Sequence, residues 1–352
     1  MIILGIESSC DDTSVALVDS SEKGHFVISE KTASQIEIHK KYGGVVPEIA
    51  GRMHAEKIVP LIEEVLKDQP KPDAIAVTAG PGLITGLLVG TEAARTLSYT
   101  KQIPLIAVNH IDGHIHSPLI KSDEPDYIFP ALALVVSGGH TELVLAKNHG
   151  EYQILGKTVD DAAGECFDKV AKLLELPYPG GPQISKLAQD GDKNAIDFPR
   201  PMLDSGDYRF SFAGLKTSAL YWLRDNKLST ENISISNLVD AFRRQRKTNV
   251  NDFCASIEEA IVDVLVKKTI RAAEEFKPRT VLLVGGVSAN KKLRERLSTE
   301  VGKMGMNFRV ALQEYCMDNA AMIAVAAYFK AQKNQYTDWH ELKSDPNWRI
   351  VN

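Results

Sequence analysis

The 352-residue chain has no CxxC pair: its four cysteines, at positions 10, 166, 254 and 316, are spaced too widely for a zinc ribbon or a dithiol redox motif. Long hydrophobic runs are missing too. Apolar stretches such as 103–108 and 131–136 fall far short of the ~20 residues a membrane-spanning helix needs, so no membrane role is expected. No GxxxxGK[ST] occurs, which excludes a P-loop. Nor is there a basic excess. With 41 Lys and Arg against 46 Asp and Glu, net charge is -5, and any contact with nucleic acid has to be local. The N-terminus, MIILGIESSC, enters an alternating apolar segment without a basic leader, so the expected location is a reduced cytoplasm.

What is present is an ordinary globular composition, 44% hydrophobic and 25% charged, long enough for two lobes. Residues 2–7 and 14–19 read as two strands around the polar turn SSCDDT. Strand, small polar loop and strand return at 132–137, GGHT and 142–146, which points to an internal duplication. After the first hairpin come a helix at about 54–67, a strand at 74–79, a helix at about 84–100 and a strand at 103–108. After the second come helices near 160–175, 183–190, 214–226, 234–246 and 250–276, then a strand at 281–286. This alternation predicts mixed α/β lobes. The proline-containing segment 117–130 reads as the connection between them, and the polar tail from Ala331 as packing back on the first lobe.

NHIDGHIH, at 109–116, follows a buried strand, where α/β folds place functional groups. On a helix, His110 and His114 at i and i+4 share one face and could hold one cation. The same spacing also arises on surfaces without function. It invites comparison with HExxH proteases, but the residue after the first His is Ile111, which cannot serve as a base, and Asp112 points about 200° around the helix. Asp318, in YCMDNAAMIA, is the leading candidate for a third ligand, ahead of Asp112 and His116.

Three glycine-rich loops, VVSGGHT (135–141), YPGGP (178–182) and GGVSAN (285–290), could bring backbone N–H groups to a nucleotide or phosphate. Each alone is also ordinary turn punctuation. GPGLITG (80–86) is not a dinucleotide fingerprint, because its spacing is GxGxxxG; it reads as a helix entry loop. Asp168 lies on an amphipathic helix, within reach of Lys172 at i+4. Arg243, Arg244, Arg246 and Lys247, with Lys267, Lys268 and Arg271 further on, form the best basic clusters, although solvated helix faces look the same.

In order and over about residues 2–330, GIESSCDDTSVAL, KYGGVVPEIAGRMH, GPGLITGLLVG, VNHIDGHI, VSGGHTELV, GECFDKVAKLLELPYPGGP, FSFAGLKT, GGVSANKKLR and YCMDNAAMIA resemble the tRNA N6-threonylcarbamoyladenosine transferase (TsaD) family. The resemblance implies the actin/Hsp70-like ATPase (ASKHA) fold, with two RNase H-like subdomains and the active site in the cleft between them. It implies an N-terminal subdomain from 1–116 and about 317–352, a C-terminal subdomain from about 130–316 with the nucleotide pocket, and 117–130 as connecting loop. The implied reaction moves a threonylcarbamoyl group from threonylcarbamoyl-AMP to N6 of the adenosine 3′ to the anticodon in tRNAs reading ANN codons, releasing AMP.

By matching positions, His110, His114 and Asp318 carry over as ligands of Fe2+ or Zn2+. Val135, Val136, Ser137, Gly138, Gly139, Asp168, Gly181 and Asn290 carry over as the adenylate-binding set, with ATP or AMP and Mg2+ as further occupants. Asp11 is the candidate base or orienting group, and Arg243 and Arg244 are the candidate tRNA contacts. A TsaB-like paralogue, a TsaE-like ATPase and a TsaC-like supplier of the adenylate are the implied partners. Relatives often carry Asp where Ser185 stands, which leaves that contact open. A metal-dependent glycoprotein endopeptidase and a non-catalytic nucleotide-binding scaffold are the alternatives; an actin-like sugar kinase would have no use for the two histidines.

Overall fold

The computed structural model describes residues 1–226 and 249–350; the helix expected at 234–246, with Arg243 and Arg244, lies outside the described residues. Five strands form the first sheet: β1 (Ile2–Glu7), β2 (Asp12–Ser21), β3 (Gly24–Ser34), β4 (Ala74–Gly80) and β5 (Leu105–Asn109), in the order β3-β2-β1-β4-β5. β1 runs antiparallel to β2 (Gly5 opposite Ala16) and parallel to β4 (Ile6 opposite Val77), and β4 runs parallel to β5. The short α1 (Ile36–His39) precedes α2 (Pro47–Leu66), which leads to β4, and α3 (Ile84–Lys101) leads to β5. β1 and β4 are apolar at consecutive positions because central strands are covered on both faces.

The second sheet joins β6 (Ala131–Val136), β7 (Thr141–Asn148), β8 (Glu151–Lys157), β9 (Thr280–Val284) and β10 (Asn307–Val310) in the order β10-β9-β6-β7-β8. Counted within each sheet, both orders are third, second, first, fourth, fifth. The duplication suggested by two weakly similar hairpins is thus a repeated topology. The remaining helices are α4 (His110–His116), α5 (Ala163–Leu173), α6 (Gly180–Ala188), α7 (Ala213–Asp225), α8 (Val250–Phe276), α9 (Lys291–Lys303) and α10 (Ala320–Gln332). Asn249 and Asp252 close a capping box at the start of α8, and Asn319 caps α10 by accepting from Met322 N–H.

The chain divides into two compact units. Unit 1 comprises Met1–Ala133, Leu145–Gln153 and Arg309–Asn352; unit 2 comprises Leu134–Val144 and Ile154–Phe308. The segment 117–130 groups with unit 1: Ser117–Leu119 form a buried turn and the Tyr127 hydroxyl donates to Ile115 O at 2.7 Å. The tail also lies on unit 1, where Thr337 N–H donates to Leu105 O, Asp345 N–H to Ala79 O, and Arg95 to the carbonyls of Trp339 and Leu342. The core of this unit gathers Leu4, Ile6, Val15, Leu17, Ile58, Ile62, Val65, Ile75 and Val77, each worth about 1.5–3 kcal/mol when fully buried.

α10 is buried along most of its length and crosses the first sheet at Gly5. A Cβ on Gly5 would lie 2.1 Å from Ala320 O, so only glycine lets the start of α10 approach β1. That approach fixes where Asp318, two residues earlier, can stand.

Candidate metal centre

β5 ends at Asn109, whose side chain accepts from Ile111 N–H at 2.9 Å and so starts α4 without a break. The helical phase then stacks His110 and His114, ring centroids 4.6 Å apart. α4 fits against α10 through Gly113, where a Cβ would lie 2.6 Å from Ile323. Asp318, just ahead of the α10 cap, meets both rings: its Oδ1 is 3.5 Å from His110 Nε2 and 3.2 Å from His114 Nε2.

One donor atom from each of the three residues falls within 4.8 Å of the others. Tetrahedral ligands about 2.0–2.1 Å from a cation stand roughly 3.3 Å apart, which the two distances to Asp318 match. His114 is fully buried; its Nε2 has the Asp318 carboxylate at 3.2 Å, and among the described residues its Nδ1 makes no hydrogen bond. A buried imidazole satisfied at no more than one nitrogen is costly unless its lone pair has another partner. The residues therefore fit a divalent cation. Asp112 and His116 are engaged elsewhere. The Tyr152 hydroxyl donates to Asp112 at 2.5 Å, while His116 bonds Asp112 O and His149 Nδ1, each at 2.8 Å.

Burial alone would depress the His110 pKa, but the carboxylates of Asp318 and Glu7 outweigh it and raise it to about 9. For His114, burial and the neighbouring His110 prevail over Asp318 and lower it. Asp11, in the turn after β1, is raised by burial and by Asp318, and burial raises Asp12 to about 7 against a Ser34 hydrogen bond, with Asp11 and Asp318 adding to the rise. Cys10 is pushed well up by burial and the same acids, so it is no thiolate nucleophile.

The turn that carries these acids is braced from behind by GPGLITG. Leu83 N–H donates to Ser9 O at 2.7 Å and Ser8 Oγ to Gly86 O at 2.9 Å. A Cβ on Gly86 would stand 2.3 Å from Ser8 O. His54 of α2 completes the brace, bonding Cys10 O at 3.0 Å and Thr13 Oγ1 at 2.8 Å. The glycine run is thus a seat for the first turn.

In unit 2, Val135 and Val136 end β6 in the core, and Ser137 closes a turn with His140 through N–H···O at 2.8 Å. Gly138 and Gly139 face open space, since a Cβ on either meets nothing within 4 Å. Asp168 accepts from Gly180 N–H at 2.6 Å, so it holds the start of α6, where Gly181 lies. Asn290 caps α9, its Oδ1 accepting from Leu293 N–H, while Nδ2 donates to Ser185 Oγ at 2.9 Å and Glu258 at 2.7 Å. Two of the residues singled out for adenylate contact therefore also fix helix starts. Of the second basic cluster, Lys268 is buried, donating to Ser205 Oγ and Asp207 O, and burial lowers it to about 8; it belongs to no solvated face.

Solved structures with the same architecture include full-length HypF in a phosphate- and nucleotide-bound form, with TM-score 0.59 and 12% identity over 96% of this chain and 47% of that one. The activator of 2-hydroxyisocaproyl-CoA dehydratase from Clostridium difficile with bound ADPNP aligns at TM-score 0.52 and 13% identity, over 95% and 97% of the two chains. The fold is that of the actin/Hsp70-like ATPase class, here carrying a His-His-Asp group able to hold a cation. The model of the family TsaD, tRNA N6-adenosine threonylcarbamoyltransferase, matches residues 26–325. Proteins of that name from Ralstonia pickettii (46% identical, 99% of this chain and 98% of the relative) and Bacillus subtilis (47%, 95% and 91%) align almost end to end. The chain belongs to the TsaD family. It is a transferase of tRNA modification. Among the described residues no helix is long and apolar enough to cross a membrane.

Proposed function

We propose that this chain transfers the threonylcarbamoyl group of threonylcarbamoyl-AMP to N6 of the adenosine 3′ to the anticodon in tRNAs reading ANN codons, in the cytoplasm. The observation that carries the reading is the near end-to-end identity to the named transferases together with the intact group His110, His114 and Asp318. These three would hold Fe2+ or Zn2+, which when bound supplies Lewis-acid polarisation of a carbonyl or holds a carboxylate.

The chain's own residues do the rest. The open backbone at Gly138 and Gly139 and the start of α6 at Gly181 receive the adenylate, ATP or AMP, with Mg2+ as counter-ion. Asp168 and Asn290, already anchored through one face each, present fixed acceptors and donors to the nucleoside. Asp11, raised by burial and by Asp318, orients or accepts the proton of the attacking amine. Arg243 and Arg244 are assigned to the tRNA backbone, and a TsaB-like paralogue, a TsaE-like ATPase and a TsaC-like adenylate supplier are the working partners.

The protease alternative is weakened by Ile111, which is buried and carries no base, and by the commitment of Asp112 to Tyr152. The deciding test incubates the protein and its helpers with threonylcarbamoyl-AMP and unmodified tRNA. Modified adenosine is expected with the wild type and its loss with His110→Ala. Absence of product under every partner condition refutes the assignment.

A further inference from the structure

His110 and His114 present the same imidazole to the same position, yet their outer nitrogens meet different surroundings. Among the described residues, His114 Nδ1 has no hydrogen-bond partner. His110 Nδ1 lies 3.1 Å from Glu7 Oε2 and 3.1 Å from Ser9 Oγ. A carboxylate offers acceptors only, so the proton between the two belongs to His110 Nδ1. That turns Nε2, 3.5 Å from Asp318 Oδ1, toward the position a cation would take.

Glu7 is fully buried, at the end of a central strand, where a charge needs partners to be tolerated. Its orientation is over-determined. Oε1 accepts from Ser9 N–H at 2.6 Å, and Oε2 accepts from Thr78 Oγ1 at 2.6 Å as well as from His110. β1 and β4 are paired in parallel, with Ile6 opposite Val77, so sheet register sets the Glu7 to Thr78 contact. Glu7 is not among the three residues whose donor atoms converge. A buried carboxylate anchored from two sides, and turned toward the far nitrogen of a candidate ligand, has the arrangement that fixes a metal-binding histidine.

We propose that Glu7 is a positioning residue of the cation centre: it holds the His110 proton on Nδ1, fixes the ring plane and strengthens Nε2 as the ligand atom. The inference rests on the reading that His110, His114 and Asp318 bind a divalent cation. His114 lacks such support, so the centre is braced from one side.

The test loads the full chain with Co2+ or Zn2+ alone and measures affinity by chelator competition. Wild-type binding of one ion, lost in Asp318→Ala, establishes the cation reading; no binding by the wild type removes that reading and this inference with it. Given wild-type binding, Glu7→Gln is expected to weaken affinity about 10- to 100-fold and to alter the Co2+ absorption bands. Thr78→Val, which keeps the side-chain shape and frees Glu7 Oε2, is expected to weaken it several-fold, and it decides the matter alone if Glu7→Gln does not fold. Zn2+-loaded protein with 15N-labelled histidine should show His110 protonated at Nδ1 and metal-bound at Nε2. Wild-type affinity in the folded variants, or a metal-bound Nδ1, overturns the proposal.

Discussion

The two units build their candidate sites by opposite means. In unit 1 the working groups are buried side chains, each held by another: His110 by Glu7, Glu7 by Thr78 and Ser9, and the acidic turn by His54 and GPGLITG. In unit 2 the candidate surface is backbone at open glycines, with side chains such as Asp168 and Asn290 already occupied in holding helix starts. A cation demands fixed ligands in number and direction, whereas a nucleotide needs unobstructed N–H groups. Substitutions should therefore damage unit 1 through geometry and unit 2 through access.

The largest effect is expected at the centre itself. His114→Ala removes one of the three proposed ligands and should lower bound metal, measured after gel filtration, by at least about 100-fold, more than loss of an outer partner does. Retention of metal would break the contrast. Next comes Gly86→Ala, whose Cβ would stand 2.3 Å from Ser8 O; it should destabilise by roughly 1–3 kcal/mol in urea unfolding.

Acid should act on the surroundings of His25. His25 is buried and its pKa is pushed down to about 4, chiefly by burial with His116 adding, against the Pro125 carbonyl. Its neutral folded form contributes stability that is complete above the ordinary value of 6.5 and falls as the unfolded chain takes up protons below it. The loss is about 1 kcal/mol by pH 5.5. In unit 2, burial raises Glu259 and Asp263, but Lys292 in the first case and Arg296 in the second, each through a hydrogen bond and its charge, outweigh it and hold the carboxylates below their ordinary values. Their contribution is present above that range and lost only as pH falls through it. Asp12 of the same unit, raised to about 7, works the other way as its folded carboxyl takes up a proton, so the loosening is expected only in the strands around His25; hydrogen exchange there that is unchanged between pH 7 and 5 would refute the assignment. The smallest stability change is expected at Gly139→Ala, within about 0.5 kcal/mol, since its Cβ meets nothing, while adenylate binding weakens measurably by calorimetry.

Much of the site was legible because its residues are local in sequence or carry unmistakable chemistry. His110 and His114 are marked by a helical spacing that surfaces also show, and Asp318 is a candidate from its place before an apolar helix; the ordered family motifs join the three. Most interior elements were legible for a similar reason, since burial forces periodicity. β3 and β8 were missed: both mix exposed and half-buried positions, so their pattern is no stronger than that of a loop. α9 was passed over as well, its polar sequence KKLRERLSTEVGK burying only Leu293, Leu297 and Val301. The role of Glu7 was hidden for another reason. A glutamate at a strand end announces that it needs a partner, yet nothing within ten residues says that the partner is a histidine of another element. GPGLITG was legible as a helix entry loop from its spacing, but not that Ser8 and Ser9 rest on it.

The interrupted course of unit 1 bears on how the protein is made. Its sheet begins at residue 2, but Asp318 and α10 arrive only after all of unit 2 has been synthesised. Roughly two hundred residues separate His114 from Asp318, about 10–40 s of translation. During that interval the nascent chain displays two histidines without Asp318 and β1 with no helix over Gly5. The three residues that could hold a cation are thus brought together only late in synthesis, and a ribosome stalled before Asp318 would hold a chain that lacks the carboxylate on which both histidines converge.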